Sequence, residues 1–150
     1  MVKRYHESFP SFSCGFDSHY PLQPSRYDII QAGSHMSDIQ RITPGPRMSE
    51  AVIHNGVAYL AGQVGTPGAS VPDQTRAVLA EVDRILALCG TDKSRILTAQ
   101  IWLADIATFG QMNEVWDTWV VPGHTPARWT GEARLATPDY RVEIIVTAAV

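Results

Sequence analysis

The apolar side chains change period repeatedly after residue 78, and that alternation restricts the chain to a layered fold of sheet and helix. Val78, Leu79, Val82, Ile85, Leu86 and Cys89 recur at helical spacing and form one stripe. Residues 96–103 then read as a strand, with Leu97, Ala99, Ile101 and Leu103 on one face. Phe109, Met112, Val115, Trp116 and Trp119 return to the helical period. Two strand runs close the chain, at about 127–135 and 141–147. A helix with a single apolar stripe must bury it, and a sheet face is the partner such a chain supplies.

Punctuation residues set the boundaries. Residues 39–42 form a short edge-strand candidate, stopped by Thr43-Pro44-Gly45-Pro46. Residues 48–54 alternate loosely and lead into Asn55-Gly56, a type I′ hairpin signal, with 57–61 as the returning strand. Gly62, Gly65 and Gly68 with Pro67 make a loop. Ser70 can cap the first helix with Asp73 three residues on, Pro72 sits in its first turn, and Gly90 ends it. The second helix spans 105–119 and stops at Pro122-Gly123. The expected order is β-β-β-α-β-α-β-β, an α+β domain with both helices on one face of a single mixed sheet. Leu60, Trp129, Ile144 and Val146 are not all expected to point to the helices. The second face therefore calls for burial against other subunits.

Composition narrows the function classes. Charged residues make up 18% and hydrophobic residues 45%, which suits a packed core. The formal charge of −3 gives no electrostatic reason to bind nucleic acid. No apolar run approaches the roughly 20 residues that span a bilayer. Cys14 and Cys89 are too few for a disulfide framework, so a reducing cytoplasmic setting is expected. Residues 1–36 hold three of the four Phe and none of the Trp, have no helical or strand period, and end in Gly33-Ser34-His35-Met36. They read as a vector-derived leader, with a natural aromatic tail as the alternative, and the folded domain is expected to span 37–150.

Chemistry concentrates near the end of the chain. Arg128 opens one strand run, and Glu143 interrupts the last one among β-branched residues. A guanidinium offers a planar fork that fits a carboxylate. A carboxylate in such company tends to be desolvated, which can bring its pKa toward a useful range. Together they make a candidate site for a small carboxylic acid, with an ion pair between Arg128 and Glu132 or Glu143 as the alternative. His54 and His124 lack metal-ligand spacing, and no metal or other cofactor is expected. No phosphate-binding glycine loop occurs, and Ser49 and Ser94 carry no nucleophile signature.

From about Arg41 to Val150 the chain resembles the Rid/YjgF family of enamine/imine deaminases. The matching pieces are Gly45-Pro46, Leu60-Ala61-Gly62-Gln63, Gln74-Thr75-Arg76, Met112-Asn113, Pro126-Ala127-Arg128 and Val142-Glu143-Ile144, in that order. The resemblance implies a homotrimer of chorismate-mutase-like fold with sites between subunits. It also implies cofactor-free hydrolysis of reactive 2-imino acids to 2-keto acids and ammonia. By the same resemblance Arg128 takes the substrate carboxylate, Glu143 positions or activates water, and Asn113 lines the pocket. Ala61 and Gly62 fall at its substrate-binding turn. Thr130 stands where many members carry cysteine. Two positions depart from the common pattern: Arg47 follows Gly-Pro where many have tyrosine, and Ala61 precedes Gly-Gln where many have serine. Arg47 either adds charge to the pocket or pairs with Glu50. Three other readings remain open: a carboxylate-binding regulatory trimer without turnover, an RNA-directed activity, and a chorismate mutase using Arg47 as a second cation.

Overall fold

A computed structural model describes residues 38–150. The proposed leader, residues 1–36, lies outside the described residues. The first hairpin joins β1 (Gln40–Pro44) to β2 (Ser49–His54). A tight turn links them, closed by Gly45 N–H donating to the Met48 carbonyl at 2.8 Å. Strand β1 runs two residues beyond its expected stop, through Thr43 at a positive φ of 47°. The second hairpin joins β2 to β3 (Val57–Leu60) through Asn55 and Gly56, whose φ values of 50° and 74° suit the type I′ turn read from sequence.

A two-residue strand, β4 (Gln63–Val64), was not anticipated. It pairs with the first half of β7 (Val142–Ala149), whereas β3 pairs with the second half. The Ala61-Gly62 step is thus a break between two strands lying along one partner.

Helix α1 (Val71–Leu88) starts at Ser70, whose Oγ accepts the Asp73 N–H, and carries Pro72 in its first turn. It ends in a Schellman arrangement. Thr91 N–H reaches the Leu86 carbonyl at 3.0 Å, and Gly90 sits at φ 76°. Strand β5 (Ile96–Leu103) follows. The next expected helix divides: residues 106–108 form a 3-10 turn, and α2 proper is Phe109–Trp119. The Asp105 side chain accepts the Ala107 N–H at 2.9 Å, so that aspartate caps the short turn. Strand β6 (Ala127–Glu132) is shorter than expected, and β7 completes the chain.

The strand order is β1-β2-β3-β7-β5-β6. β5 and β6 are parallel, and the other pairs are antiparallel. The fold is a mixed sheet with two helices on one face. Alternate residues of the central strands, including Ala99, Ile101, Leu103, Val142, Ile144, Val146 and Ala148, are at most 1% exposed and pack against α1 and α2. Leu60, Ile144 and Val146 point to the helices and Trp129 lies on the opposite face, so the four do not all face inward, as expected. The open face is still apolar. It carries Tyr59 and Trp129, both 49% exposed, with Val52, Trp102 and Ile145 half-buried between them. Among the described residues no helix is long and apolar enough to cross a membrane.

Candidate functional site

Strand parity decides which candidate residues can meet. Arg128 and Thr130 on β6 lie opposite Ala99 and Ile101 of β5, two core residues of the helix-covered face. Glu143 on β7 lies opposite Trp102, on the open face. Arg128 and Glu143 therefore point to opposite sides of the sheet. β5 lies between their strands, and they stand three residue levels apart, roughly 10 Å along the strand direction. The candidate site of Arg128 and Glu143 therefore does not form within a protomer.

The first group gathers at the edge strand. Arg128 Nη1 donates to Asn113 Oδ1 at 2.9 Å. Its guanidinium carbon lies 5.1 Å from the Trp116 ring centroid and 5.8 Å from that of Phe109. No carboxylate pairs with it among the described residues. Glu132 instead accepts the Ile106 N–H at 2.9 Å. Two residues beyond Arg128, the Thr130 hydroxyl is buried without a hydrogen-bond partner. A buried orphan hydroxyl costs free energy, on the order of 1–3 kcal/mol. Such a hydroxyl calls for a polar partner, water or ligand. The aromatic neighbours were read from sequence as core; their helical spacing carries no mark of a cation contact.

The second group lies on the open face. A Cβ placed on Gly62 would come 2.1 Å from Glu143 Oε1 and 3.1 Å from its carboxyl carbon. Glycine at 62 is thus what lets the Glu143 carboxylate lie across the break between β3 and β4. Ala61 belongs to the same turn, its N–H donating to the Glu50 carbonyl at 2.9 Å. Arg47 stands apart from the first group. It is exposed in the β1–β2 turn, at the far edge of the sheet from β6. From β2 to β6 is four strand spacings, roughly 20 Å. Nor does Arg47 take Glu50, which pairs with Arg84 at 2.9 Å.

One residue outside both groups positions the connection between β6 and β7. Gln74 is fully buried; its Nε2 donates to the Ala69 and Asp139 carbonyls at 3.1 and 2.8 Å, and its Oε1 accepts the Arg141 N–H at 2.8 Å. It pins the loop feeding β7 to α1. Nearby, Glu132, Arg134, Leu135, Thr137 and Tyr140 line an open cleft of about 830 Å³. The cleft shares none of the candidate site residues, so volume is a poorer guide here than the unpaired cation. Among the described residues no group of three or more His, Cys, Asp or Glu side chains could hold a metal ion.

A mixed sheet with two helices on one face is the architecture that this chain shares with YjgF-type proteins. The chain belongs to the family described as Endoribonuclease L-PSP, whose model matches residues 38–150. It is 50% identical over 113 residues to a RutC family protein of Haemophilus ducreyi, covering 75% of this chain and 97% of that one. To the RutC family protein YoaB of Escherichia coli it is 46% identical over 112 residues, covering 75% and 98%. A crystal structure of a YjgF family member from Neisseria meningitidis superposes with a TM-score of 0.75 at 50% identity, over 77% of this chain and 97% of that chain. More distant relatives include Reactive Intermediate Deaminase A of Arabidopsis thaliana, 32% identical over 64% of this chain and 54% of that protein. A 2-iminobutanoate/2-iminopropanoate deaminase of Rattus norvegicus is 29% identical over 64% of this chain and 74% of that protein.

Proposed function

We propose that this protein hydrolyses reactive 2-imino acids to 2-keto acids and ammonia in a site shared between copies of the chain. The observation that carries the reading is the half-buried Arg128 guanidinium, free of acidic partners among the described residues and held by Asn113. Such a cation matches a small carboxylate in a two-pronged contact. The distant deaminases lend the chemistry; the nearer relatives carry only a family name.

The reaction asks for orientation more than for activation. Arg128 holds the carboxylate and Asn113 fixes Arg128, so the imine carbon faces an ordered water. Glu143 takes a proton as that water adds to the C=N carbon. Glu143 passes that proton to the imine nitrogen to give the carbinolamine; the carbinolamine hydroxyl then gives up its proton to the same nitrogen through the carboxylate, the C–N bond breaks, and ammonia leaves with the keto acid remaining. Thr130 orients the water or the imine nitrogen through its hydroxyl.

Because Arg128 and Glu143 face opposite sides of one sheet, this mechanism needs Glu143 and Gly62 from a neighbouring copy. A head-to-tail interface that closes into a ring brings two different surfaces together in this way. The homotrimer implied by family resemblance is such a ring, and the apolar open face supplies surface for it. A second reading follows from the same parity. A protomer that does not assemble has the carboxylate anchor without the acid, and would bind 2-keto acids without turnover. Measured mass in solution separates the two. An RNA-directed activity, suggested by the family's description, has less support, since the net charge is −3.

The direct test generates a 2-imino acid in situ and traps the keto acid as its semicarbazone. Arg128→Ala is expected to lower turnover roughly hundredfold or more, since hydrogen bonds to charged groups are each worth about 1.5–3 kcal/mol. Unchanged turnover in that variant refutes the proposal.

A further inference from the structure

Phe109, Asn113 and Trp116 are spaced i, i+4 and i+7 on α2 and form one stripe. All three touch Arg128: the amide oxygen at 2.9 Å, and the two ring centroids at 5.8 and 5.1 Å from the guanidinium carbon. Trp116 is itself fixed. It is 5% exposed, and its ring lies 5.3 Å from that of Trp119 at an interplanar angle of 54°. Trp119 Nε1–H in turn donates to Asp83 Oδ2 on α1 at 2.9 Å. The contact on Arg128 is therefore backed by both helices.

An arginine on an edge strand can be held by an acid or by something that is not an acid. An acid would occupy the same donors that a substrate carboxylate needs and would cancel the charge that attracts it. An aromatic ring attracts a cation through its quadrupole and takes up no donor. Asn113 Oδ1 accepts from one of the five guanidinium N–H groups and carries no charge.

We propose that Phe109 and Trp116 are positioning residues that hold Arg128 by cation–π attraction, keeping its charge and remaining donors open to a carboxylate. The proposal rests on the reading of Arg128 as the carboxylate anchor. Holding the side chain in advance removes part of the ordering cost from ligand binding. The loss of either ring therefore falls mainly on carboxylate affinity and KM, with kcat changed less.

The test is calorimetric titration of 2-oxobutanoate into the full-length parent and into Phe109→Leu, Trp116→Leu, Trp116→Phe and Arg128→Ala. Each leucine variant is expected to weaken binding about fivefold, while Trp116→Phe, which keeps a ring, stays within about twofold of the parent. Leucine variants that bind as tightly as the parent, while Arg128→Ala does not bind, overturn the aromatic hold alone. A parent that does not bind, or an Arg128→Ala variant that binds equally well, overturns the anchor reading beneath it. If Trp116→Leu fails to fold, Phe109→Leu decides the matter, since Phe109 is 39% exposed and lies outside the buried core.

Discussion

Two arginines of this chain are held in opposite ways. On the outer surface of α1, Arg84 meets Glu81 at 2.6 Å and Glu50 at 2.9 Å. Its Nε also reaches both Glu81 oxygens at 3.0 Å. Glu81, then Glu50, raises its pKa, and Arg84, with help from Thr43, holds the Glu50 carboxyl below its ordinary value. Every strong interaction of Arg84 is internal to the fold. Arg128, at the other end of the sheet, is held by an amide and two rings, with no acid among the described residues. The first arrangement ties α1 to β2. The second fixes a cation without neutralising it. The difference shows why charge alone does not identify a binding arginine; its partners do.

The largest expected contrast is in turnover. Where Arg128→Ala loses about two orders of magnitude or more, Arg84→Ala is expected to stay within about twofold of the parent, because exposed ion pairs contribute only about 0–1 kcal/mol. Similar losses in both variants, measured by the trapped keto acid, would erase the distinction drawn between the two sites.

A smaller but sharper effect concerns Gly62. The atom that a new Cβ would strike is the far end of the Glu143 side chain, so Gly62→Ala can fold by moving the carboxylate aside. Misplacing a catalytic group by about 1 Å can cost up to roughly a hundredfold. Turnover should fall at least about tenfold with little change in thermal midpoint. In a Glu143→Gln background the same substitution should cost nothing more. A further loss there would separate Gly62 from Glu143.

The smallest effect is on acid stability. A carboxyl whose folded pKa is depressed contributes stability that is present above its unfolded value, near 4.5, and is lost as pH falls through the folded value. Glu50→Gln should therefore flatten the decline of the urea midpoint below about pH 4.5 while leaving the turnover profile unaltered. An equally steep decline in the variant would show that the Glu50–Arg84 pair does not govern that limb.

Much of the fold was legible because its signals are local. Asn55-Gly56 dictates its own turn, and Ser70 and Gly90 mark the ends of α1 by capping chemistry. Strand β4 was not legible, since two residues have no period and the pairing depends on β7 lying alongside. That Leu60, Trp129, Ile144 and Val146 do not share one face was legible, but which of them turns outward was not, because one residue of register decides a whole strand face. The site residues came from family resemblance more than from pattern. Arg128 and Asn113 were named in advance, and the structure brings them together. That Arg128 and Glu143 oppose each other across the sheet depends on the register of β5 between them, which neither residue's neighbourhood encodes. Phe109 and Trp116 looked like core because a stripe of aromatics says burial first.

The central claim is that Arg128 of one copy works with Glu143 of the next. Arg128→Ala and Glu143→Gln chains, each expected to be strongly impaired alone, can be unfolded together, refolded as a mixture and assayed for trapped keto acid. A site between copies predicts recovery of roughly a quarter of parental turnover, since half the copies supply an intact arginine and half an intact glutamate. A mixture as inactive as its two components would contradict the claim.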